Sequence, residues 1–254
     1  MTTLSEVYQN LVNQGHTKVK VAITDLDGVL RGKYIHIEKL KSAIEGGFGF
    51  CNVVFGWDVN DETYDKSSYT GWHTGFPDAK VRLDLSTLRN IPWDNNTPFL
   101  LGDFEDSSKN QALEVCPRQI LKRVNKALNK LGYNAKVGVE FEWFNFKETP
   151  KSIYEKNFKN LEHLSPGMFG YSVLRSSLNS EFFNSLLTEL NNFNIPIEGL
   201  HTETGPGVLE AAILACEPVE AGDRGVLFKT ATKEISNRLG IMSCFMARWS
   251  KDFP

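Results

Sequence analysis

Two pairs of glutamates, both set in apolar segments, constrain the fold of this chain more than any other feature. Glu140 and Glu142 lie in residues 136–144, a run rich in β-branched and aromatic residues that predicts a strand. Side chains alternate across a strand, so the two carboxylates share one face and lie about 7 Å apart along it. Carboxylates on an apolar strand indicate a site where oxygen ligands hold hard divalent cations.

The second pair, Glu203 and Glu210, flanks a Gly-Pro-Gly sequence at residues 205–207 that is typical of a turn. A hairpin over residues 195–210 would bring these two carboxylates towards each other. The sequence therefore predicts that four glutamates, contributed by strands, ligate divalent cations.

The overall composition excludes several classes of partner. With 254 residues, of which 41% are apolar, the chain is long enough for one large domain or two ordinary ones. A net charge of −3 gives no electrostatic reason to expect nucleic acid or an anionic membrane as a partner. No run in the sequence predicts a membrane span, no basic-then-apolar start suggests a signal peptide, and the four cysteines lack a CxxC spacing. We therefore expect a cytoplasmic protein with reduced thiols.

Hydrophobic periodicity and turn residues predict a mixture of helices and strands. The predicted helices cover residues 1–16, 37–45, 117–131, 179–193 and 224–239. The predicted strands cover residues 18–24, 29–35, 50–55, 98–104 and 136–144, the hairpin 195–210, and residues 241–247. Residues 57–93 are expected to be irregular. The polar loop 105–111 is expected to separate an N-terminal domain, residues 17–108, from a second domain, residues 109–254.

One N-terminal segment offers a competing interpretation. Residues 21–30 resemble the first motif of haloacid-dehalogenase-type phosphatases, in which Asp25 would be the nucleophile and Asp27 the acid/base. Residues 102–106, with Asp103, resemble the late metal-binding acids of that family. A phosphatase of this type needs alternating strands and helices between these motifs, and it would leave the four glutamates unexplained. We therefore treat it as a remote alternative.

Five segments, in the correct order, together resemble the glutamine synthetase family from about residue 17 to the end of the chain. They are residues 25–33, the strand 139–144, the hairpin 197–210, the helix segment 223–229 and the strand 244–246. The resemblance implies an α+β fold, with a β-grasp-like N-terminal domain and a truncated catalytic domain whose curved antiparallel sheet carries helices. It also implies an ATP-dependent ligase that joins glutamate to ammonia through a γ-glutamyl phosphate.

The same resemblance assigns roles to the four glutamates. Glu142, Glu203 and Glu210 would ligate a metal ion near the substrate glutamate, and Glu140 would ligate a second ion that bridges the ATP phosphates. Both ions would be Mg²⁺ or Mn²⁺. An anionic carboxylate that attacks an anionic phosphate needs such cations to offset repulsion and developing charge.

Two further residues have roles implied by the resemblance. Glu198 would lie near the nucleotide, although its separation of five residues from Glu203 puts it on the opposite face of a regular strand. A bulge at Gly199 would correct this. His201 would support the site, with a structural or surface role as the alternative. No catalytic residue is assigned.

The sequence departs from the family pattern at the expected nitrogen site. Ammonia-using members have an Asp-Gly-Ser-Ser-like segment, whereas residues 50–57 here contain no acid before Asp58. Val208 and Leu209 replace the more usual polar pair before the last glutamate. Ligases that use amines or polyamines therefore remain alternatives to ammonia.

The chain also ends before the family's Gly-rich turn and His-x-His strand, so we expect a fragment or a truncated gene product that is inactive alone. A degenerate, non-catalytic paralogue is the alternative. The whole protein is expected to form homo-oligomeric stacked rings.

Overall fold

The computed structural model describes residues 4–106 and 111–251, and it contains two compact units, Met1–Ala135 and Lys136–Pro254. The helices are α1 Leu4–Asn13, α2 Ile37–Gly46, α3 Pro117–Lys130, α4 Pro150–Glu155, α5 Val173–Leu178, α6 Ser180–Asn192 and α7 Pro218–Arg238. The strands are β1 Lys18–Thr24, β2 Leu30–His36, β3 Phe48–Cys51, β4 Asp78–Ile91, β5 Thr97–Asp106, β6 Gln111–Ala112, β7 Val137–Phe146, β8 Ile197–Thr202, β9 Val208–Cys216 and β10 Met242–Cys244. Within the described ranges, no helix has both the length and the apolar character that crossing a membrane requires.

The first unit is built on a mixed sheet with the strand order β2-β1-β5-β4-β3, and β6 pairs with β5. β1 and β2 form an antiparallel hairpin, whereas β1 and β5 run parallel. Val19, Val21 and Ile23 alternate along β1 and enter a core to which α2 contributes Leu40 and Ala43. The apolar residues that recur every second position in β1 and those on one face of α2 therefore pack in the same hydrophobic core.

The hydrogen bonds of Asp25, in the turn between β1 and β2, argue against the phosphatase alternative. The Asp25 side chain is 2% exposed, and its Oδ1 accepts hydrogen bonds from the backbone N–H groups of Asp27 (3.0 Å) and Val29 (2.8 Å). Its Oδ2 accepts a hydrogen bond from Arg31 Nε at 2.8 Å. A carboxylate whose oxygens cap a turn and pair with an arginine is a structural group, and it is not a free nucleophile.

The prediction that residues 57–93 are irregular is wrong for β4, a strand of 14 residues that lies between β5 and β3. Charged residues interleave with its apolar ones and give the segment the composition of a loop. Arg82 Nε donates to Glu105 Oε2 at 3.0 Å, and Asp84 pairs with Arg118 at 2.9 Å. These ion pairs allow charged side chains to remain in a partly buried strand.

α3 is held to the first unit by a cluster of charges. Arg118 Nη1 lies 2.9 Å from Oδ2 of both Asp84 and Asp103, and Lys122 Nζ lies 2.8 Å from Asp84 Oδ2. Burial alone raises the pKa of Asp84, but the hydrogen bonds from Lys122 and Ser86 and the charge of Arg118 lower it well below its ordinary value. α3 therefore belongs to the first compact unit, which ends at Ala135. The predicted domain limits at residues 108 and 109 stay a prediction.

Several predicted elements have different bounds in the structure. β5 extends to Asp106, into the predicted loop 105–111, and β10 ends at Cys244 rather than at residue 247. The strand predicted over residues 50–55 ends at Cys51, and residues 52–55 form a 3-10 turn in which buried Asn52 accepts a hydrogen bond from Thr70 Oγ1 at 2.6 Å. α7 begins at Pro218 rather than at residue 224, because Glu217 caps it by accepting hydrogen bonds from two backbone N–H groups.

Parts of two other predicted segments, residues 1–3 and 107–110, lie outside the described residues. The described part of the predicted N-terminal helix forms α1, and the residues on either side of 107–110 pair as β5 and β6.

The second unit contains a four-stranded antiparallel sheet with the order β10-β7-β9-β8. On one face, Phe141 of β7 stacks on Phe228 of α7 with ring centroids 5.2 Å apart, and Trp143 packs edge-on against the same ring at 5.5 Å. These aromatic contacts fix α7 against that face of the sheet. The α+β fold class is confirmed, and the antiparallel sheet with helices lies where the sequence predicts it.

Candidate metal centre

A row of ligand-type side chains crosses three strands of the second unit. In the strand register, Glu142 of β7 lies directly opposite Glu210 of β9, and Glu210 lies directly opposite His201 of β8. Directly opposite residues of antiparallel strands share one face, with Cβ atoms about 4.5–5.5 Å apart. This is the face opposite to that covered by α7, so the row is accessible to a small ligand.

The remaining two glutamates lie beside this row. Glu140 pairs with Ala212, one step along the same face, and its side chain is exposed. Glu203 follows the end of β8, and its backbone N–H donates to Val208 O at 3.0 Å. One ligand atom from each of His201, Glu203 and Glu210 lies within 4.8 Å of the others. The structure therefore brings these three residues closest together.

The turn between β8 and β9 sets the position of Glu203, and it is anchored to β7. Gly207 has φ of +70°, and a Cβ atom there would lie 2.4 Å from Asn145 O, so only glycine fits. The backbone N–H of Asn145 donates to Gly207 O at 2.9 Å, and its side-chain Nδ2 donates to the same oxygen at 3.0 Å. The Gly-Pro-Gly signal therefore marks a turn that must approach a neighbouring strand closely.

Asn145 is a positioning residue that the sequence analysis missed. Its side chain is fully buried, and Oδ1 accepts hydrogen bonds from Trp143 Nε1 at 2.9 Å and Ser243 Oγ at 2.7 Å. Through Nδ2 it also holds Gly207. One feature of the sequence could have identified it: an amide side chain lies between two phenylalanines of an apolar strand. A polar side chain that is buried in this way needs hydrogen-bond partners.

The carboxylates interact electrostatically before any cation is considered. Burial raises the pKa of Glu210 above its ordinary value; the nearby charges of Glu142, Glu140 and Glu203 also raise it, whereas His201 opposes them. Like charges that raise a neighbour's pKa favour a cation between them, because the cation offsets their repulsion. The donor set therefore suits a divalent metal ion, although the roles of these residues stay predictions.

The structure contains the bulge that Glu198 requires. Ile197 pairs with Ile213 and Gly199 pairs with Ala212, so Glu198 is the additional residue in β8. A bulge of this kind changes the face towards which a side chain points. Glu198 is exposed, and its predicted contact with a nucleotide stays a prediction.

The surroundings of His201 were not predicted. The Tyr171 ring stacks on the imidazole with centroids 4.3 Å apart and an interplanar angle of 27°. His201 Nδ1 lies 3.2 Å from Thr202 O, and Nε2 lies 3.7 Å from Glu210 Oε2. Tyr171 is 30 residues away in sequence, and no spacing rule connects it to β8.

Comparison with known proteins gives a consistent result. Residues 114–253 match the family model of the glutamine synthetase catalytic domain. The chain is 53% identical over 236 residues to type-1 glutamine synthetase 2 of Dictyostelium discoideum, covering 93% of this chain and 45% of that protein. It is 30% identical over 236 residues to glutamate–isopropylamine ligase of a Pseudomonas species, covering 92% of this chain and 51% of that protein.

Solved structures share the fold. A GmaS–ADP complex aligns with a TM-score of 0.80 and 19% sequence identity, covering 100% of this chain and 53% of that one. At this identity the likeness concerns the fold alone. The chain spans about half the length of the curated relatives it matches.

Proposed function

This chain belongs to the glutamine synthetase family, and we propose that the whole protein is an ATP-dependent ligase that forms a γ-glutamyl amide. The observation that carries the proposal is the row of Glu142, Glu210 and His201 on the open face of the sheet, with Glu203 beside it. An array of oxygen ligands facing an open surface is what a metal-assisted reaction between two anions needs.

In this reaction the γ-carboxylate of glutamate attacks the γ-phosphate of ATP and releases ADP. A nitrogen nucleophile then displaces phosphate from the acyl phosphate and loses a proton. Bound Mg²⁺ or Mn²⁺ would supply the positive charge that offsets repulsion between the anionic reactants. Glu142, Glu203 and Glu210 would hold the ion near glutamate, and Glu140 the ion near the phosphates. Glu198, in the bulge of β8, would contact the nucleotide.

Ammonia is the first candidate for the nitrogen donor, and an amine is the second. One observation favours an amine. Asn52, in the segment where ammonia-using members of the family carry an aspartate, is buried, and its amide oxygen accepts a hydrogen bond from Thr70. A neutral amide is not a base that can deprotonate ammonium, unlike the carboxylate of an aspartate. The 30% identity to a glutamate–isopropylamine ligase agrees with this candidate.

The metal-binding half of the proposal is tested by titrating the 254-residue chain with Mn²⁺ in a calorimeter. We expect Glu210→Gln to weaken Mn²⁺ binding by at least about tenfold, because it removes a charged ligand. Glu155→Gln is the matched control, since Glu155 is an exposed acid of the same unit that pairs only with Lys151 among the described ion pairs. Equal Mn²⁺ affinities for the two variants would refute the proposed site.

The chemical half of the proposal is tested on the whole protein by phosphate release from ATP and glutamate. Ammonium, methylamine, ethanolamine and putrescine are compared as nitrogen donors. Preference for an amine selects the second candidate, and preference for ammonium selects the first. Failure of every donor, together with no heat of Mg²⁺-ATP binding, would indicate a non-catalytic paralogue. We also propose that the whole protein assembles as a homo-oligomer of stacked rings.

A further inference from the structure

We propose that the apolar stripe of α3 is the docking surface for an acidic amphipathic helix of the same polypeptide. That helix would come from the part of the whole protein that lies outside these 254 residues. The stripe consists of Ile120, Val124, Ala127 and Leu131. The inference goes beyond the proposed function, because it concerns neither the candidate metal centre nor the nitrogen donor.

The stripe is exposed along its whole length. The side chains of Ile120, Val124 and Leu131 are 42%, 60% and 74% exposed, and Ala127 is exposed as well. The buried residue of α3 is Arg118 instead. An amphipathic helix of a globular protein normally turns its apolar stripe towards a core. A contiguous apolar surface that is open to water therefore indicates an interaction site.

α3 is attached to the first unit by its opposite face. Arg118 Nη1 lies 2.9 Å from Oδ2 of both Asp84 and Asp103, and Lys122 contacts the same two carboxylates. A rotation of about 100° per residue places the centre of the stripe roughly 170° around the helix axis from Arg118 and Lys122. The ion pairs therefore hold α3 with its apolar residues directed away from these carboxylates.

The spacing of the stripe favours a helix as its partner. The four residues follow one another at intervals of four, three and four, which is the spacing of the a and d positions in a coiled-coil seam. From Ile120 to Leu131 the seam is about 16 Å long at a rise of about 1.5 Å per residue. A partner helix of about three turns therefore covers it.

The charges beside the stripe favour an acidic partner. Arg123, Lys126 and Lys130 are exposed and follow one edge of the stripe. Among the residues that the structure describes, Lys126 and Lys130 have no carboxylate partner. Acidic side chains beside the apolar residues of a second helix would pair with these cations, as e and g residues do in coiled coils. The α3 helix of a second copy cannot supply them, because α3 contains no Asp or Glu.

Two findings favour a partner in the same polypeptide. The family model of the glutamine synthetase catalytic domain matches from residue 114, so it includes α3, although the ion pairs of α3 are made with the first unit. The chain covers 45% and 51% of two curated relatives, so about half of each relative is unmatched. A stripe that belongs to a domain is buried against other elements of that domain.

The experiment measures how accessible the stripe is to a thiol reagent. Val124→Cys is prepared in the 254-residue chain and in the whole protein, and its reaction with a maleimide is followed by mass spectrometry. We expect labelling at least about tenfold slower in the whole protein, because the partner helix covers the thiol. Asn129→Cys, at an exposed position of α3 outside the stripe, is the control and should react equally fast in both. Hydrogen exchange of residues 117–131 needs no substitution, and it should also be slower in the whole protein.

The acidic character of the partner is tested by charge reversal in the whole protein. Lys126→Glu combined with Lys130→Glu should raise the labelling rate of Val124→Cys by about threefold or more, because like charges then face each other across the interface. Lys41→Glu, at an exposed position of α2, is the control and should leave the labelling rate unchanged.

Three results would overturn the inference. Equal labelling of Val124→Cys in the 254-residue chain and in the whole protein would show that no segment of the same polypeptide covers the stripe. Slow labelling already in the 254-residue chain, with a mass in light scattering that rises with concentration, would show that a second copy covers it. Slow labelling that charge reversal does not change would exclude an acidic partner. Slow labelling of a whole protein that releases no phosphate from ATP and glutamate would contradict the proposed function alone.

Discussion

Replacing Asn145 by leucine should destabilise the second unit by several kcal/mol, although the two side chains have the same number and branching of heavy atoms. Asn145 is fully buried, and its Oδ1 is the acceptor for the Trp143 indole N–H and the Ser243 hydroxyl. Leucine leaves these two buried donors without this acceptor. Each orphaned group costs about 1–3 kcal/mol, so the expected loss is about 2–6 kcal/mol. This loss is a large fraction of the free energy of unfolding of a typical protein, which is about 5–15 kcal/mol.

The assay is equilibrium unfolding in urea, followed by circular dichroism and tryptophan fluorescence, with stability taken from the midpoint at constant slope. Asn191→Leu, at an exposed position near the end of α6, is the matched control and should change stability by less than about 0.5 kcal/mol. Ser243→Ala alone should cost about 0.5–1.5 kcal/mol, the value of one hydrogen bond.

A double-mutant cycle isolates the interaction between Asn145 and Ser243. In the Asn145→Leu background, Ser243→Ala removes one of the two orphaned donors, so the double variant should be no less stable than Asn145→Leu alone. Strict additivity of the two changes would refute the hydrogen-bond reasoning. The reasoning would also be refuted if Asn145→Leu lowered the free energy of unfolding by less than about 1 kcal/mol.

Three further predictions concern other groups. The pKa of Glu148 is lowered to about 2, chiefly by a hydrogen bond from Lys156, so its stabilising contribution is complete above its ordinary pKa of 4.5 and is lost as the pH falls towards 2. Lys156→Met should therefore reduce stability at pH 7 more than at pH 3, as measured by urea unfolding. Gly207→Ala should abolish Mn²⁺ binding and lower the unfolding midpoint, because the added methyl group would meet a backbone oxygen of β7 at 2.4 Å in a left-handed conformation. Arg118→Met should destabilise the first unit by about 1–3 kcal/mol in urea, because it removes one charged hydrogen-bond donor from the buried Asp103 carboxylate, which keeps its contact with Lys122.

The sequence predicted those parts of the fold in which periodicity and turn residues agree. β1, β5, β7 and the hairpin of β8 and β9 each combine apolar residues with a clear turn or glycine, so local pattern and tertiary structure coincide. β4 was missed because its alternation is masked by charged residues whose partners lie on other elements. A pattern confined to one segment contains no information about ion pairs formed with β5 and α3.

The sequence likewise predicted some features of the candidate site and missed others. The shared face of Glu140 and Glu142 follows from strand alternation, and the turn beside Glu203 follows from its glycines. Tyr171 and Asn145 were missed, because their effects depend on contacts with residues distant in sequence. Such contacts are created only when the sheet and its connections have formed.

The hydrophobic core and the candidate metal centre are consequences of one strand register. Along β7, odd-numbered residues such as Phe141 and Trp143 pack towards α7, while Glu142 faces Glu210 on the opposite side. A slip of one residue between β7 and β9 would move every side chain of one strand to the wrong face, burying carboxylates and exposing aromatic rings. The free energy of core packing therefore also holds the carboxylates in line. The bulge at Glu198 alters this alternation in β8, and it does so beyond the row, where His201 and Glu210 remain in register.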